Sequence, residues 1–244
     1  MPIKAVIFDY IGTLVNCKGY SMDASRKTLY NALASEGFEI EEGSFLEAYN
    51  EAHEKYRKVR YEQHREVTNA IWVSEALCKL GFKSTPNDPR IKAALNIFFQ
   101  EFIKTFELRE GAKKLLEQTA AQAKVGLISN FTYAPVIHNS LRRINIQTYF
   151  NAIVISEENG WRKPKPQIFQ EALKRLQVNV QNAIFIGDNP IEDIKGAKET
   201  GLKTVFVTSQ FNSKKDLKAS NQKPDYIAEN LIETSMILKE ILSP

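Results

Sequence analysis

Cysteine, long apolar runs and clustered positive charge are all scarce in this chain of 244 residues. The two cysteines, Cys17 and Cys78, are too few for a disulfide framework, so we expect reduced thiols and a cytoplasmic location. No segment approaches the roughly 18 consecutive apolar residues of a membrane span, and the opening MPIKAVIF lacks the apolar stretch of a signal peptide. The net charge is +4, but lysine and arginine form no run typical of a nucleic-acid arm or a basic membrane patch.

The sequence does contain alternating strand and helix patterns. Hydrophobic residues make up 43% of the chain and charged residues 25%, which is enough apolar material for a sizeable core. Short apolar runs bounded by turn-forming residues predict buried parallel strands, and the amphipathic segments between them predict helices. This alternation predicts an α/β fold with a doubly wound, Rossmann-like parallel sheet. The predicted strands are residues 5–8, 125–129, 152–155, 183–186, 204–207 and 226–228.

Residues 17–108 have a different pattern, in which we find four helical segments and no strand. The first of these helices has a predicted N-cap at Ser21 or Asp23. We therefore predict a core domain made of residues 1–16 and 109–244, with residues 17–108 inserted into it as an α-helical cap domain.

Four polar clusters lie at the ends of the predicted strands or in loops beside them. Each cluster alone is typical of a turn, a helix cap or a solvated lysine. In an open parallel sheet, however, the carboxyl ends of the strands converge on one crevice, where ligands bind. The four clusters together therefore predict a functional site. They are Asp9 with Gly12 and Thr13, Ser129 with Asn130, Lys163, and Asp188 with Asp193.

These clusters resemble the four motifs of the haloacid dehalogenase-like hydrolases, most of which are phosphatases. The resemblance extends from about residue 5 to residue 207, and the helical insert is similar to the cap that this family places after its first motif. The first motif, Asp-x-Asp-x-Thr, is present as Asp9-Tyr10-Ile11-Gly12-Thr13. The other three correspond to Ser129, Lys163, and Gly187-Asp188 with Asp193.

The resemblance implies a Mg²⁺-dependent phosphatase in which Asp9 is the nucleophile and forms an aspartyl-phosphate. Lys163 is then a point charge between nucleophile and substrate, and Ser129 donates a hydrogen bond to a phosphoryl oxygen. Mg²⁺ offsets the repulsion between the two anions. The implied metal ligands are Asp9, the backbone carbonyl of Ile11, Asp188 and Asp193, and the implied substrate-binding residues are Gly12, Thr13, Ser129, Asn130 and Lys163.

Ile11 departs from the family pattern. The second acid of the first motif normally protonates the leaving oxygen and then activates water, and isoleucine does neither. General acid–base help is typically worth about 10²–10⁴-fold. Its loss matters most for a poor leaving group such as a sugar alkoxide, and less for acyl or aryl phosphates.

Three other functions remain compatible with the sequence. A 2-haloacid dehalogenase needs no acid, but that branch usually has Tyr at the position of Ile11 and lacks the acid corresponding to Asp188. A phosphonate hydrolase has a small apolar residue at the position of Ile11, but its chemistry also needs a lysine from the cap. The cap lysines Lys27, Lys55 and Lys58 stand in no recognisable motif. A non-enzymatic protein that binds a phosphoryl ligand at a dead site is the third.

The second predicted cap helix carries His53, Arg57, Arg60 and His64 at three- and four-residue spacings, so they can share one helix face. Two interpretations of this face are possible. In one it turns to the cleft, where its positive charge attracts phosphate and His53 or Glu54 supplies the missing acid. In the other it is an ordinary face exposed to solvent. Cap closure predicts hinges near residues 16–18 and 106–110.

A cap of this kind leaves a small cavity, which predicts a small phosphorylated metabolite as the substrate. We expect no nucleic-acid or membrane partner and a monomer or homodimer. Trp72 is expected in the cap core or at the domain interface.

Overall fold

A six-stranded parallel sheet forms the centre of the computed structural model, which describes residues 2–19 and 22–242. The strands in chain order are β1 (Ala5–Phe8), β2 (Val15–Cys17), β3 (Phe106–Leu108), β4 (Lys124–Ser129), β5 (Ala152–Ile155), β6 (Ala183–Gly187), β7 (Lys203–Val207) and β8 (Tyr226–Ala228). The sheet has the order β5-β4-β1-β6-β7-β8, while β2 and β3 pair separately. This confirms the predicted doubly wound α/β fold.

The helices fill both the insert and the connections between strands. Their bounds are α1 (Met22–Ser35), α2 (Glu42–Glu62), α3 (Asn69–Lys79), α4 (Pro89–Lys104), α5 (Ala112–Ala120), α6 (Ala134–Arg143), α7 (Ser156–Asn159), α8 (Pro166–Leu176), α9 (Gly196–Thr200), α10 (Lys214–Ala219) and α11 (Leu231–Leu242). A π-helical turn, Pro190–Lys195, leads into α9. Within the described ranges, none of these helices has both the length and the apolar character needed to cross a bilayer. The predicted cap residues Ser21 and Asp23 lie outside the side chains that the structure describes.

The sheet is buried on both faces, as a parallel sheet with helices on each side must be. All four residues of β1 are completely buried. Val6 and Phe8 join a large apolar cluster that continues into α1–α4, whereas Ala5 and Ile7 join a second cluster built on α8. This alternation follows from the two-residue period of a strand.

The insert contains one strand that the sequence analysis missed. Helices α1–α4 lie between β2 and β3, where the chain leaves the sheet region and returns to it. The expectation of no strand in residues 17–108 is wrong, because β3 lies in that segment and pairs antiparallel with β2. Each of these strands has only three residues, too few to show a two-residue periodicity in the sequence. The two chain crossings are therefore hydrogen-bonded to each other.

Candidate active site

The sheet order brings three of the predicted clusters together. Strand β1 lies between β4 and β6, so the residues that end these strands meet at one edge of the sheet. Asp9 follows β1, Ser129 ends β4, and Asp188 follows β6. The Asp9 amide continues the ladder by donating to the Ile186 carbonyl at 2.8 Å.

Three buried carboxylates form the centre of this site. One oxygen from each of Asp9, Asp188 and Asp193 lies within 4.8 Å of the others, and the three residues are 7%, 3% and 1% exposed. The second oxygen of Asp9, Oδ2, is buried and has no hydrogen-bond partner in the described part of the chain. Such a group is costly unless something else binds it. The arrangement therefore leaves one carboxylate oxygen available for a ligand or for chemistry.

Lys163 neutralises part of this charge. Its buried ammonium donates to Asp9 Oδ1 and to Asp193 Oδ1, both at 2.6 Å. Burial alone would lower the pKa of Lys163, but the carboxylates of Asp193 and Asp9 outweigh it and raise the pKa. The Asn130 side chain fixes the lysine backbone from both sides, since its oxygen accepts from the Lys163 amide at 2.8 Å and its nitrogen donates to the Lys163 carbonyl at 3.0 Å.

The loop after β7 holds Asp188 in place. Ser209 and Asn212 donate to Asp188 Oδ2 at 2.6 and 3.0 Å, and the Thr13 hydroxyl donates to Oδ1 at 3.3 Å. Burial and the negative charge of Asp9 raise the pKa of Asp188 to about 6, and burial also raises the pKa of Asp193 well above its ordinary value. Burial is the largest cause of both shifts, because a carboxylate that is removed from water is harder to ionise.

A cavity of about 400 Å³ opens onto these groups, and we name it the catalytic cavity. Ile11, Ser129 and Asn130 line it. The residue that replaces the second acid of the first motif, Ile11, therefore borders this cavity. Gly12 and Thr13 are not among the lining residues. Their role in substrate binding stays a prediction, as do the other predicted roles of site residues.

The residues present fit a divalent cation such as Mg²⁺. Three carboxylates and one ammonium carry a formal charge of two negative units when all are ionised. Carboxylate oxygens are the ligands that Mg²⁺ prefers, and the unpartnered oxygen of Asp9 lies among them. We find no mismatch between this donor set and the implied metal.

A buried ion network joins the insert to the catalytic cavity. The Glu66 carboxylate, 1% exposed, accepts from Arg60 Nε at 2.9 Å and from Arg162 Nη1 at 2.5 Å. The Ser156 hydroxyl also donates to Glu66. Both arginines line the catalytic cavity. Arg162 also pairs with Glu192, at 3.5 Å, and Glu192 lines the cavity too, so two guanidinium groups and two carboxylates balance each other at this wall.

The predicted basic face of α2 is only partly present. The helix ends at Glu62, so His64 lies beyond it in a left-handed backbone conformation, with φ at 54°. Arg57 is half-exposed and pairs with Glu54, which is typical of a solvated face. Arg60 is the member of this face that lines the catalytic cavity. Residue spacing alone could not show that only Arg60 reaches the catalytic cavity. The sequence has no strong stop signal at the end of α2, so it did not show that His64 lies outside the helix.

Several residues that build the site were missed by the sequence analysis. Ser209 and Asn212 follow the predicted strand 204–207, and β7 pairs with β6, so the strand order alone brings them to Asp188. Arg109 was also missed; it donates to the carbonyls of Gly12 and Thr208, both at 2.6 Å, and so ties the first motif to the end of β7. Glu66 and Arg162 were missed as well, because charged residues are common in surface loops, whereas Arg60 had been identified on the predicted basic face.

Fold and site together define a hydrolase with an acidic centre at the carboxyl edge of a parallel sheet. The profile of the haloacid dehalogenase-like hydrolases matches residues 6–207, and the chain belongs to this family. It is 28% identical to a glyceraldehyde 3-phosphate phosphatase of Methanothermobacter thermautotrophicus, over 98% of this chain and 100% of that protein.

The chain is also similar to a second named phosphatase and to a solved structure. The chain is 24% identical to a ribulose-1,5-bisphosphate 5-phosphatase of Halopiger xanaduensis, covering 98% of this chain and 99% of that protein. Among solved structures, a 2-haloacid dehalogenase of Pseudomonas syringae superposes with a TM-score of 0.69 at 23% identity, covering 98% and 99% of the two chains. That last similarity shows the shared fold alone.

Proposed function

We propose that this protein is a Mg²⁺-dependent phosphatase that hydrolyses small phosphate monoesters through an aspartyl-phosphate on Asp9. The observation that carries the proposal is the buried cluster of Asp9, Asp188 and Asp193, in which Asp9 Oδ2 has no partner within the described residues. Asp9, Asp188, Asp193 and the Ile11 carbonyl would hold the metal. When bound, Mg²⁺ supplies positive charge that lets a carboxylate and a phosphate approach each other.

The chemistry takes place in two displacements at phosphorus. An oxygen of Asp9 forms a bond to phosphorus while the bond to the leaving oxygen breaks, and the electron pair goes to that oxygen. Water then attacks phosphorus while the bond from phosphorus to Asp9 breaks and its electron pair returns to the Asp9 carboxylate. The proton of the water goes to the released phosphate or to solvent. Lys163 keeps Asp9 oriented through its 2.6 Å hydrogen bond, and Ser129 is placed to donate to a phosphoryl oxygen.

The proposed substrates are small. The catalytic cavity has a volume of about 400 Å³, the size of an ordinary small-molecule site. The named phosphatase relatives act on phosphorylated sugars or trioses, which supports a low-molecular-weight phosphate ester for this chain as well. We propose that residues 17–108 act as a cap domain that closes over such a substrate and excludes water.

The site favours this function over the alternatives. The intact Asp188 and Asp193 suit a metal, which halide displacement does not need. Phosphonate cleavage needs a cap lysine at the site, but Lys55 pairs with Glu75 on the surface, and Lys27 and Lys58 do not line the catalytic cavity. The free cysteines support a cytoplasmic location, and the mild net charge supports small molecules over nucleic acid as partners.

The first test is hydrolysis of p-nitrophenyl phosphate and acetyl phosphate with Mg²⁺, because both have leaving groups that need no proton. We expect phosphate release that is abolished by a chelator and in Asp9→Asn. The matched control is Asp88→Asn, at an aspartate that caps α4 in the insert and is not among the residues that line the catalytic cavity. If the wild type releases no phosphate from either substrate, or if a chelator has no effect, the proposal is wrong.

A further inference from the structure

A second cavity of about 320 Å³ adjoins the catalytic cavity, and we name it the aromatic cavity. The two cavities lie side by side, because they share four lining residues: Arg60, Tyr61, Phe131 and Thr132. A cavity of about 150 Å³ is enough to hold benzene, so this volume accommodates a substituted ring. Besides the shared residues, the lining consists of Tyr49, His53, Arg57, Asn69, Trp72, Phe98, Phe99 and Phe102.

The lining of the aromatic cavity is unusually rich in rings. Helix α4 and the loop after β4 contribute Phe99 and Phe131, whose centroids are 5.7 Å apart. On the opposite side the His53 ring packs edge-on against Trp72, with centroids 5.5 Å apart. Burial and then the charge of Arg60 lower the pKa of His53, which favours a neutral ring. A planar apolar group would therefore find rings on several sides.

Two buried polar atoms in this lining lack partners. Trp72 Nε1 and Asn69 Oδ1 make no hydrogen bond to any part of the chain that the structure describes, although their residues are 1% and 5% exposed. Buried polar groups are normally satisfied, and an unmade bond is costly. One is a donor and the other an acceptor. Since both residues line the aromatic cavity, a ring with polar atoms at its edge is the kind of ligand that offers partners to such atoms.

Arg60 stands where the two cavities meet. Its guanidinium lies 5.8 Å from the Trp72 ring centroid, and Glu66 fixes it through Nε. Because Arg60 lines both cavities, an ester whose phosphate lies at Asp9 and whose ring lies against Trp72 would lie beside this residue. The positive charge of Arg60 there favours negative charge on the leaving oxygen, and it does so without transferring a proton.

We propose that the aromatic cavity binds the leaving group and that the substrate is a phosphate ester of a small aromatic alcohol with polar ring atoms. The inference rests on the proposed phosphatase function. Ile11 supports it independently, because a phenolate-type leaving group needs little acid assistance, and Ile11 offers none. Hydrolysis then breaks the phosphorus–oxygen bond, leaves the electron pair on the aryl oxygen, and lets solvent protonate it.

A binding measurement tests the aromatic cavity without relying on catalysis. The first experiment therefore uses phosphonates, which lack the phosphate ester bond and are not turned over as phosphate esters. Calorimetry would compare phenylphosphonate with propylphosphonate on the full chain with Mg²⁺. We expect phenylphosphonate to bind about five- to tenfold more tightly, the usual range for added aromatic contacts. Trp72→Phe should reduce that preference about threefold or more, whereas Trp161→Phe, the same change at the other tryptophan, should leave it unchanged.

A second measurement does not depend on a variant of the buried Trp72. Trp161→Phe leaves Trp72 as the sole tryptophan, so phenylphosphonate should change its fluorescence while propylphosphonate should not. Equal affinity for the two phosphonates, an unchanged preference in Trp72→Phe, or no fluorescence response would each overturn the proposal.

Turnover then distinguishes the two proposals from each other. Benzyl and isobutyl phosphate both release an alkoxide, so the missing acid affects them equally, and we expect benzyl phosphate to have at least about fivefold higher kcat/KM. If glyceraldehyde 3-phosphate is the better substrate and no ring preference appears, the aromatic subsite is wrong but the phosphatase stands. If no phosphate ester is hydrolysed yet phenylphosphonate binds as expected, the phosphatase proposal fails and the subsite remains.

Discussion

At the scale of single residues, we expect position 11 to determine which leaving groups the proposed phosphatase can release. Ile11 is partly buried, packs against the main apolar cluster and lines the catalytic cavity two residues after Asp9. Its side chain offers no proton, while the rest of the acidic centre is present. Under the proposed mechanism, the site would support attack by Asp9 but would give no acid assistance to a departing alkoxide.

The first residue-scale prediction concerns Ile11→Asp. Restoring a carboxyl at this position should raise turnover of an alkyl phosphate such as isobutyl phosphate by up to about 10²-fold, the lower end of general acid–base help. Phenyl phosphate should gain much less because its leaving group is stable as an anion. Steady-state kcat on both esters measures the difference.

Ile11→Asn is the matched control, because it has nearly the same shape and polarity as the aspartate but no titratable proton. Equal rates for the Asp and Asn variants on isobutyl phosphate would show that the carboxyl has no role at position 11.

At the scale of structural elements, the loop after β1 must pass very close to the end of β6. Gly12 has a φ of 99°, and a Cβ at this position would lie 2.6 Å from Asp188 Oδ2. Thr13 follows, and its buried hydroxyl donates to the same carboxylate. Any side chain at position 12 would collide with Asp188 where the structure places it. Only glycine is therefore compatible with this arrangement.

Gly12→Ala should therefore displace Asp188 and reduce kcat/KM on p-nitrophenyl phosphate by about 10²-fold, the loss typical of a misplacement of about 1 Å. The stabilisation by Mg²⁺, measured as a rise in Tm, should fall in parallel.

Gly37→Ala provides the control for backbone strain. Gly37 also has a positive φ, 89°, but nothing lies within 4 Å of the position that a Cβ would take there. This variant should lose about 1 kcal/mol of stability and keep its activity. Similar losses of activity in both variants would mean that strain, and not the collision with Asp188, is responsible.

At the scale of the whole molecule, one buried carboxylate joins the helical insert to the sheet region. Glu66 follows α2, and Arg162 directly precedes Lys163. The Arg162 amide also donates to the His64 carbonyl, and the Glu66 amide donates to the Gly160 carbonyl, both at 3.0 Å. The position of Lys163 is thus coupled to the segment that follows α2.

Glu66→Gln should destabilise the protein by about 3–5 kcal/mol, because it leaves the buried guanidinium groups of Arg60 and Arg162 without their shared anion. Urea denaturation measures this loss. Glu54→Gln removes the carboxylate of an exposed pair with Arg57 and should change stability little. A Glu66→Gln midpoint close to that of Glu54→Gln would contradict the prediction.

The sequence by itself determined the sheet and the acidic centre. Buried parallel strands must be continuous apolar runs, so β1, β4 and β6 could be identified from local composition. Groups that follow such strands converge at one edge, and this rule places Asp9 and Asp188 together without any knowledge of side-chain contacts.

Only the tertiary structure decided which parts of the insert face the site. Helical periodicity does not distinguish Arg57 from Arg60. The structure does, because Arg60 is mostly buried against Glu66 and lines both cavities, whereas Arg57 is half-exposed and lines only the aromatic cavity. The aromatic cavity likewise joins α2, α3, α4 and the loop after β4, which are distant in sequence. Pairing and packing between distant segments leave no local pattern, so the substrate-facing half of the molecule could not be predicted from the sequence.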